Sequence, residues 1–455
     1  WASRCAEADS DMIDTTEINS PILVFIHPTL QRRIMDFKRA AGGEPVQPHA
    51  PGPRLIFLEH PVMVCKPNMK RKGTMTLFAA AVFLFWFSQY VFLPTLPEYL
   101  RSKVGSLAVV GAILAMYGLG MVVVRLPLGI LIDALGRQKL FLFGGILVSA
   151  LGSLALGAGG TIPALYIGRS FTGLAQGIWV PLVVVFSGFF PPDQSVRAAA
   201  MLTLFSAAAR IMATPLNGYL NEWGGHILAF YVSCAAAVLA AILVLPVPLD
   251  SRPTGTPKLR PLLRLFLRKT VLLPSVLGAI NQYVIFGASL GFMPVLAVRL
   301  GAGDVALGYL AMVNLLFLLI GNLTATSSSS RFRSEWLVLA SYLLFAAALV
   351  AAALCKNIPL LFISQGCIGL AHGIGYPVLM GMTIRDVPVQ SRASAMGLHQ
   401  SIYAVGIFIG PWASGALAQA FGIRPMFALT AVLVLVFGFT GAIVLSRRPS
   451  SQAER

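Results

Sequence analysis

The sequence predicts an all-α membrane protein with twelve transmembrane helices arranged as two pseudo-symmetric six-helix bundles. Three observations carry this reading: an extreme composition, a series of long apolar runs, and a repeat between the two halves. Of 455 residues 57% are hydrophobic and only 11% charged, with a mean hydropathy of +0.79. A water-soluble chain of this length carries far more charge to cover its surface. In lipid every backbone polar group must be paired within the protein, which leaves helices or a closed barrel. A barrel shows short alternating segments; this chain shows unbroken runs of about 20 residues, enough to cross a hydrocarbon core of about 30 Å.

The runs fall at roughly 74–97, 107–128, 140–157, 162–187, 198–220 and 226–246, then 271–298, 304–325, 336–354, 358–383, 394–419 and 424–445. A basic stretch, 249–270, separates the sixth from the seventh and contains Arg252, Lys258, Arg260, Arg264, Arg268 and Lys269. The predicted organisation is a first bundle over 69–248, a cytoplasmic linker over 249–270, a second bundle over 271–446 and a cytoplasmic tail over 447–455. Residues 1–68 differ from the rest: they hold eight of the seventeen acidic residues and a loose Pro-rich stretch. Met69-Lys-Arg-Lys72 resembles a bacterial start, so 1–68 is expected to be upstream sequence or a disordered extension.

The net charge of +17 would suggest nucleic acid in a soluble protein. Here the basic residues flank the apolar runs, where they set orientation, and no nucleic-acid partner is expected. Placing both termini in the cytoplasm leaves five basic residues in the outer loops, Arg101, Lys103, Arg299, Lys356 and Arg424, and the loop charges then obey the positive-inside rule. The expected location is a bacterial cytoplasmic (inner) membrane. The five cysteines have no paired spacing, so neither a metal site nor a disulfide framework is expected. No cofactor is expected either, and the chain is expected to be a monomer.

The repeat joins Leu165–Pro181, LYIGRSFTGLAQGIWVP, to Leu361–Pro377, LFISQGCIGLAHGIGYP, at an offset of 196 residues. Arg197-Ala-Ala-Ala-Met201 then matches Arg392-Ala-Ser-Ala-Met396. Runs 4 and 10 therefore correspond in the same orientation, as in transporters whose halves are related by an axis along the membrane normal.

Between runs 2 and 3 lies Gly129-Ile-Leu-Ile-Asp133-Ala-Leu-Gly136-Arg137-Gln-Lys139. Gly129 would let a neighbouring helix approach closely, and Gly136 suits a tight turn. Asp133, Arg137 and Lys139 supply charges that can pair with each other or with a facing helix end. Together they read as a conformational latch. This motif resembles the loop 2–3 signature of the major facilitator superfamily, G-x-L-x-D-x-x-G-R-x-K. Arg169-x-x-x-Gly173-x-x-x-Gly177 resembles that family's helix 4 signature. The likeness covers about 74–446. It implies two bundles rocking about a central cavity lined mainly by helices 1, 4, 7 and 10. The 8–9 loop, Gly321 to Arg333, keeps the basic end of the loop signature without its acid. On run 11, Gly406-x-x-x-Gly410-Pro411-x-x-x-Gly415 is a small-residue pattern for close helix packing, with Pro411 adding a kink.

Polar groups inside a membrane are costly and mark function. Arg169 and Arg210 lie well inside their runs, whereas Arg125 sits near a run end and reads as structural. Gln176 and His372 occupy equivalent repeat positions. Gln89, Asn281, Gln282, Gln365 and Gln400 complete the set of substrate-cavity candidates. No Asp or Glu falls in the middle of a run. The candidates for ion coupling are therefore Glu98, Arg169, His372 and His399, since an imidazole titrates near neutrality. Interior arginines without interior acids suit an anionic solute. The expected function is secondary active transport of a small organic solute by alternating access: proton-coupled efflux of drugs or metabolites, with uptake of a small organic anion as the alternative. A polytopic membrane enzyme would need a cluster of titratable or metal-binding residues, and none is evident. A non-transporting sensor would need an added soluble domain. No G-x-x-x-x-G-K-(S/T) pattern for ATP binding is present.

Overall fold

The computed structural model describes residues 69–191, 194–249, 268–328, 331–388 and 391–446. The expectations for 1–68, for nearly all of the 249–270 linker and for the 447–455 tail fall outside these residues. So does the side chain of Asp133.

The described chain is almost wholly helical. α1 is Met69–Tyr90, followed after a break by the short helix Leu96–Val104. The break spans Val91–Thr95, where Pro94 lacks the N–H that a continuing helix needs. α2 is Leu107–Leu135 and α3 Gln138–Ala158. α4 begins as Ile162–Ala175, tightens to a 3₁₀ turn over Gln176–Ile178, and resumes as Trp179–Gly188. Pro181 cannot donate to the carbonyl four residues earlier, in that turn.

The hydrogen-bonded stretch Ser195–Val244 has 50 residues, which would be about 75 Å if straight. It is interrupted at Gly224 (φ −145°, ψ 16°) and Gly225 (φ 71°, ψ 175°). Only glycine adopts the second of these conformations freely. The stretch therefore provides two spans, α5 over 195–223 and α6 over 226–244. α7 runs Lys269–Tyr283, widens into a nine-residue π-helical segment Val284–Phe292, and ends as Met293–Arg299. α8 is Asp304–Ser328, α9 Ser334–Leu354, α10 Ile358–Arg385, α11 Arg392–Phe421 and α12 Ile423–Ser446. Among the described residues, eleven helical stretches are long and apolar enough to span a bilayer. Counting the divided one twice gives twelve spans.

The same pairings occur among α1–α6 and among α7–α12. α2 packs on α4 as α8 packs on α10, and α3 on α4 as α9 on α10. Small residues make these crossings possible. A Cβ added to Gly173 would come within 2.7 Å of the Tyr117 Cα on α2, and one on Gly369 within 3.1 Å of the Asn314 Cα on α8. On α11, Gly406 abuts the Ala279 backbone of α7, and Gly410 lies against Tyr283. Gly173, Gly406 and Gly410 thus lie against the backbone of neighbouring helices, while Gly177 lies against the Val124 side chain.

Two crossings join the first six helices to the last six: α2 with α11, and α5 with α8. Both are tightest at the end of the molecule that carries the 104–107 turn. There the Gly111 Cβ position lies 2.8 Å from the Gly415 Cα and also meets the Pro411 carbonyl, and that of Gly118 lies 2.6 Å from the Phe408 Cα. The Gly218 Cβ position lies 2.7 Å from the Asp304 carbonyl, and that of Gly308 lies 2.6 Å from the Thr214 carbonyl. Gln419 on α11 also accepts a hydrogen bond from the Leu107 N–H at 2.9 Å. At the other end, which carries Arg137, Lys139, Arg331, Arg333, Arg385 and Arg392, no atom lies within 4 Å of the Cβ position of Gly129 on α2 or Gly397 on α11. The close helix approach expected at Gly129 is therefore not made in this structure. α2 and α11, which touch at the sealed end, thus present Gly129 and Gly397 to open space at the arginine-rich end.

Candidate functional site

The polar groups of the interior gather where α1, α2, α4 and α5 meet α7, α10 and α11. Arg169, on the first part of α4, is 3% exposed. Its guanidinium lies 4.3 Å from the centre of the Tyr117 ring on α2. One terminal nitrogen reaches Thr172 Oγ1 at 3.5 Å, and Nε has no partner. Tyr117 in turn stacks on Phe286 in the π-helical segment of α7, with 5.6 Å between centroids and the rings 22° from parallel. The cation is thus tied to the other set of helices through two aromatic rings. π-Helical segments widen the backbone and recur at functional sites.

Arg210 on α5 donates from Nε to the Ser206 carbonyl at 3.1 Å. Its guanidinium lies 5.0 Å from the Trp86 ring and 5.5 Å from the Tyr90 ring, both on α1. Trp179 of α4 meets Trp86 edge-on at 5.2 Å. Guanidinium groups over aromatic faces are stabilised by about 1–2 kcal/mol when desolvated. Arg210 also lies within electrostatic reach of His372 on α10. His372 stacks on Tyr376 at 5.5 Å, and its Nδ1 has no partner. Gln176 Nε2 and both polar atoms of Asn281 are likewise buried without hydrogen bonds. Buried amides are normally bonded; these atoms find no partner within the protein. Gln282, beside Asn281, is 6% exposed.

Other candidates are engaged elsewhere. Gln89 donates to Ser149 Oγ on α3 at 2.7 Å. Gln365 accepts from Ser289 Oγ at 3.0 Å, and its carbonyl accepts from Asn314 at 3.2 Å. Both act as ties between helices rather than as free cavity groups. Glu98, offered as a coupling group, sits on the short helix outside α1 and makes a two-point ion pair with Arg101 at 2.6 and 2.8 Å. Residues one helical turn apart pair easily, and this local pairing occupies the carboxylate. His399 on α11 is fully buried, with Nδ1 3.0 Å from Thr383 Oγ1 and 3.2 Å from Ser275 Oγ. It joins α7, α10 and α11, with only Nε2 left unbonded.

Arg125, read from the sequence as structural, makes its contacts across the two sets of helices. One terminal nitrogen donates across to α11, to the Gln400 carbonyl at 3.2 Å and its Oε1 at 3.4 Å. The guanidinium also lies 4.9 Å from the Tyr403 ring. Gln400 is therefore a partner of Arg125 across the two sets of helices. In the latch motif, Gly136 ends α2 at φ 63°, a conformation natural to glycine. Lys139 donates to the Leu245 carbonyl at the end of α6, as a cation at a helix C-terminus should.

The aromatic partners were not picked out in the sequence, although a signal was there. Tyr90 follows Trp86, Tyr376 follows His372 and Tyr403 follows His399, each by four residues, the spacing that puts side chains on one helix face.

A bundle of membrane-spanning helices with cations and unbonded amides gathered between its two packed sets defines a polytopic membrane transport protein. The chain belongs to the major facilitator superfamily: the sequence pattern described as Major Facilitator Superfamily matches residues 78–313 and 276–455. Members of that family are transporters, not enzymes. The chain is 20% identical over 385 residues to an uncharacterized MFS-type transporter of Methanocaldococcus jannaschii, covering 80% of this chain and 98% of the relative. It is 28% identical over 182 residues to the multidrug resistance protein Stp of Mycobacterium tuberculosis, covering 39% of this chain and 34% of that protein. Its fold is similar to that of a bacterial homolog of the human lysosomal transporter Spinster in an inward-facing, unoccupied conformation. That match has a TM-score of 0.71 and 16% identity, and covers 84% of this chain and 99% of the other.

Proposed function

We propose that this protein is a secondary transporter that exports a small organic anion bearing a planar ring, in exchange for protons, by alternating access between two six-helix bundles over 69–248 and 271–446. The observation that carries the substrate class is the pairing of Arg169 and Arg210 with aromatic faces and no interior acid. Among the described residues, every Asp and Glu with a described side chain lies near a helix end, and none is buried. A guanidinium over an aromatic ring keeps its charge while its N–H groups remain available to a carboxylate. Trp86, Tyr90 and Trp179 beside Arg210 would stack on the ring of the solute.

Export is supported by the partial likeness to a multidrug resistance protein. With the arginine-rich end in the cytoplasm, as the positive-inside rule favours, the sealed end faces outward and the site would load from within. His372, within reach of Arg210, is the group we assign to proton exchange at the site. The test is counterflow in proteoliposomes with matched aromatic acids and their amides. The acids should exchange at least tenfold faster than the amides. Equal exchange, or preference for cationic compounds, would overturn the assignment.

A further inference from the structure

The sealed end holds an ionisable contact between the two sets of helices. His226, the first residues into α6, places Nδ1 3.7 Å from Oδ2 of Asp304, the first residue of α8. The same Asp304 oxygen accepts a hydrogen bond from Asn221 on α5 at 2.8 Å, and Asn221 also donates to Thr95 Oγ1 at 2.9 Å. The side chains of His226 and Asp304 are 31% and 24% exposed, so the pair is reachable from water yet partly shielded. It sits beside the backbone crossings of Gly218 on Val305 and Gly308 on Thr214, and beside the Tyr219–Tyr309 hydroxyl contact at 3.1 Å. Each of these contacts that crosses from the first set of helices to the second must break for this end to open.

We propose that His226 and Asp304 form a proton-binding gate, which holds this end shut when the imidazole is protonated and weakens when it is neutral. A neutral imidazole offers Asp304 no charge; a protonated one forms an ion pair across the seam. Closure therefore strengthens when the imidazole gains a proton. The surrounding charges leave the pair as the pH-responsive element. Tyr99 of the short helix packs its ring 5.6 Å from that of His226, and Lys103 lies over the same Tyr99 ring. Glu98 is matched by Arg101. Glu222 and Tyr219 on α5, Tyr309 on α8 and Arg299 at the end of α7 are exposed. This gate stands on the geometry of the sealed end and does not require the substrate to be an anion.

The test uses spin labels at Thr161→Cys and Lys356→Cys, exposed turns at this end in the first and second set of helices, in a chain lacking the native cysteines. Label-to-label distances are read without substrate. In the otherwise unaltered chain the long-distance population should rise about two- to fivefold between pH 5.5 and pH 8, the range expected for a partly exposed ion pair. His226→Gln and Asp304→Asn should each remove that response. The reciprocal pair His226→Asp with Asp304→His should restore it. A His226→Gln chain that keeps the full pH response overturns the gate, as does a reciprocal pair that remains insensitive to pH.

Discussion

α4 and α10 carry the same sequence pattern and pack by the same device, yet they hold different chemistry. Gly173 lets α4 rest on the Tyr117 backbone of α2, and Gly369 lets α10 rest on the Asn314 backbone of α8. At the matching position 196 residues apart, however, α4 has Arg169 and α10 has Gln365. Arg169 lies over an aromatic ring with Nε unbonded, whereas Gln365 is held by Ser289 and Asn314. Packing was kept in both halves of the repeat, and charge in one. Under the proposed function, the difference assigns anion recognition to the first set of helices and leaves the second to supply a hydrogen-bonded wall with a stacked imidazole.

Two substitutions sharpen or break that contrast. The largest effect is expected from Arg169→Gln, which should lower transport of an aromatic acid about 100-fold, as loss of a buried charge partner does. Gln365→Leu, at the matching site, should instead destabilise the protein by about 1–3 kcal/mol by leaving the Ser289 hydroxyl without its acceptor. Its transport per folded molecule should stay within about threefold, read as counterflow normalised to folded protein.

A second contrast separates packing within a set of helices from packing between sets. Gly173→Val should drive a side chain into the Tyr117 backbone and cut the yield of folded protein, at a cost of about 3 kcal/mol or more. Gly118→Val meets Ile407 and Phe408 on the other set. It should leave the yield unchanged and open the sealed end, seen as longer cross-seam label distances.

Arg210→Lys keeps the charge and loses the planar stack on Trp86 and Tyr90. It should weaken substrate binding about tenfold, measured as the half-saturating concentration for counterflow. The smallest effect is expected from Gly136→Leu in the latch turn, where φ 63° strains a side chain by about 1–2 kcal/mol. That chain should insert normally and transport a few-fold more slowly in the same assay.

The spans and the crossings were legible in the sequence because each is local: apolar length, and small residues spaced by four. The reversal at Gly224–Gly225 and the turn at Gly136 were readable for the same reason. Arg169 and Arg210 stood out because a cation inside an apolar run is rare. What they rest on did not, since Tyr117 is 52 positions from Arg169 and Trp86 is 124 from Arg210, by their numbers in the chain. Arg125 read as structural, but its partner was hidden, because nearness to a run end says nothing of Gln400 on a helix far along the chain. The polar ties of Gln89 and Gln365 required knowing which serine faced them. His226 and Asp304 each begin an apolar run, and nothing local pairs them; only the fold sets α6 against α8.

The most direct test of anion recognition by the first set of helices is quenching of Trp86 and Trp179 fluorescence in purified protein. An aromatic acid should quench and its amide should not, and Arg169→Gln should abolish the response to the acid while leaving the unliganded spectrum unchanged. Equal quenching by acid and amide, or quenching that survives Arg169→Gln, would contradict the account.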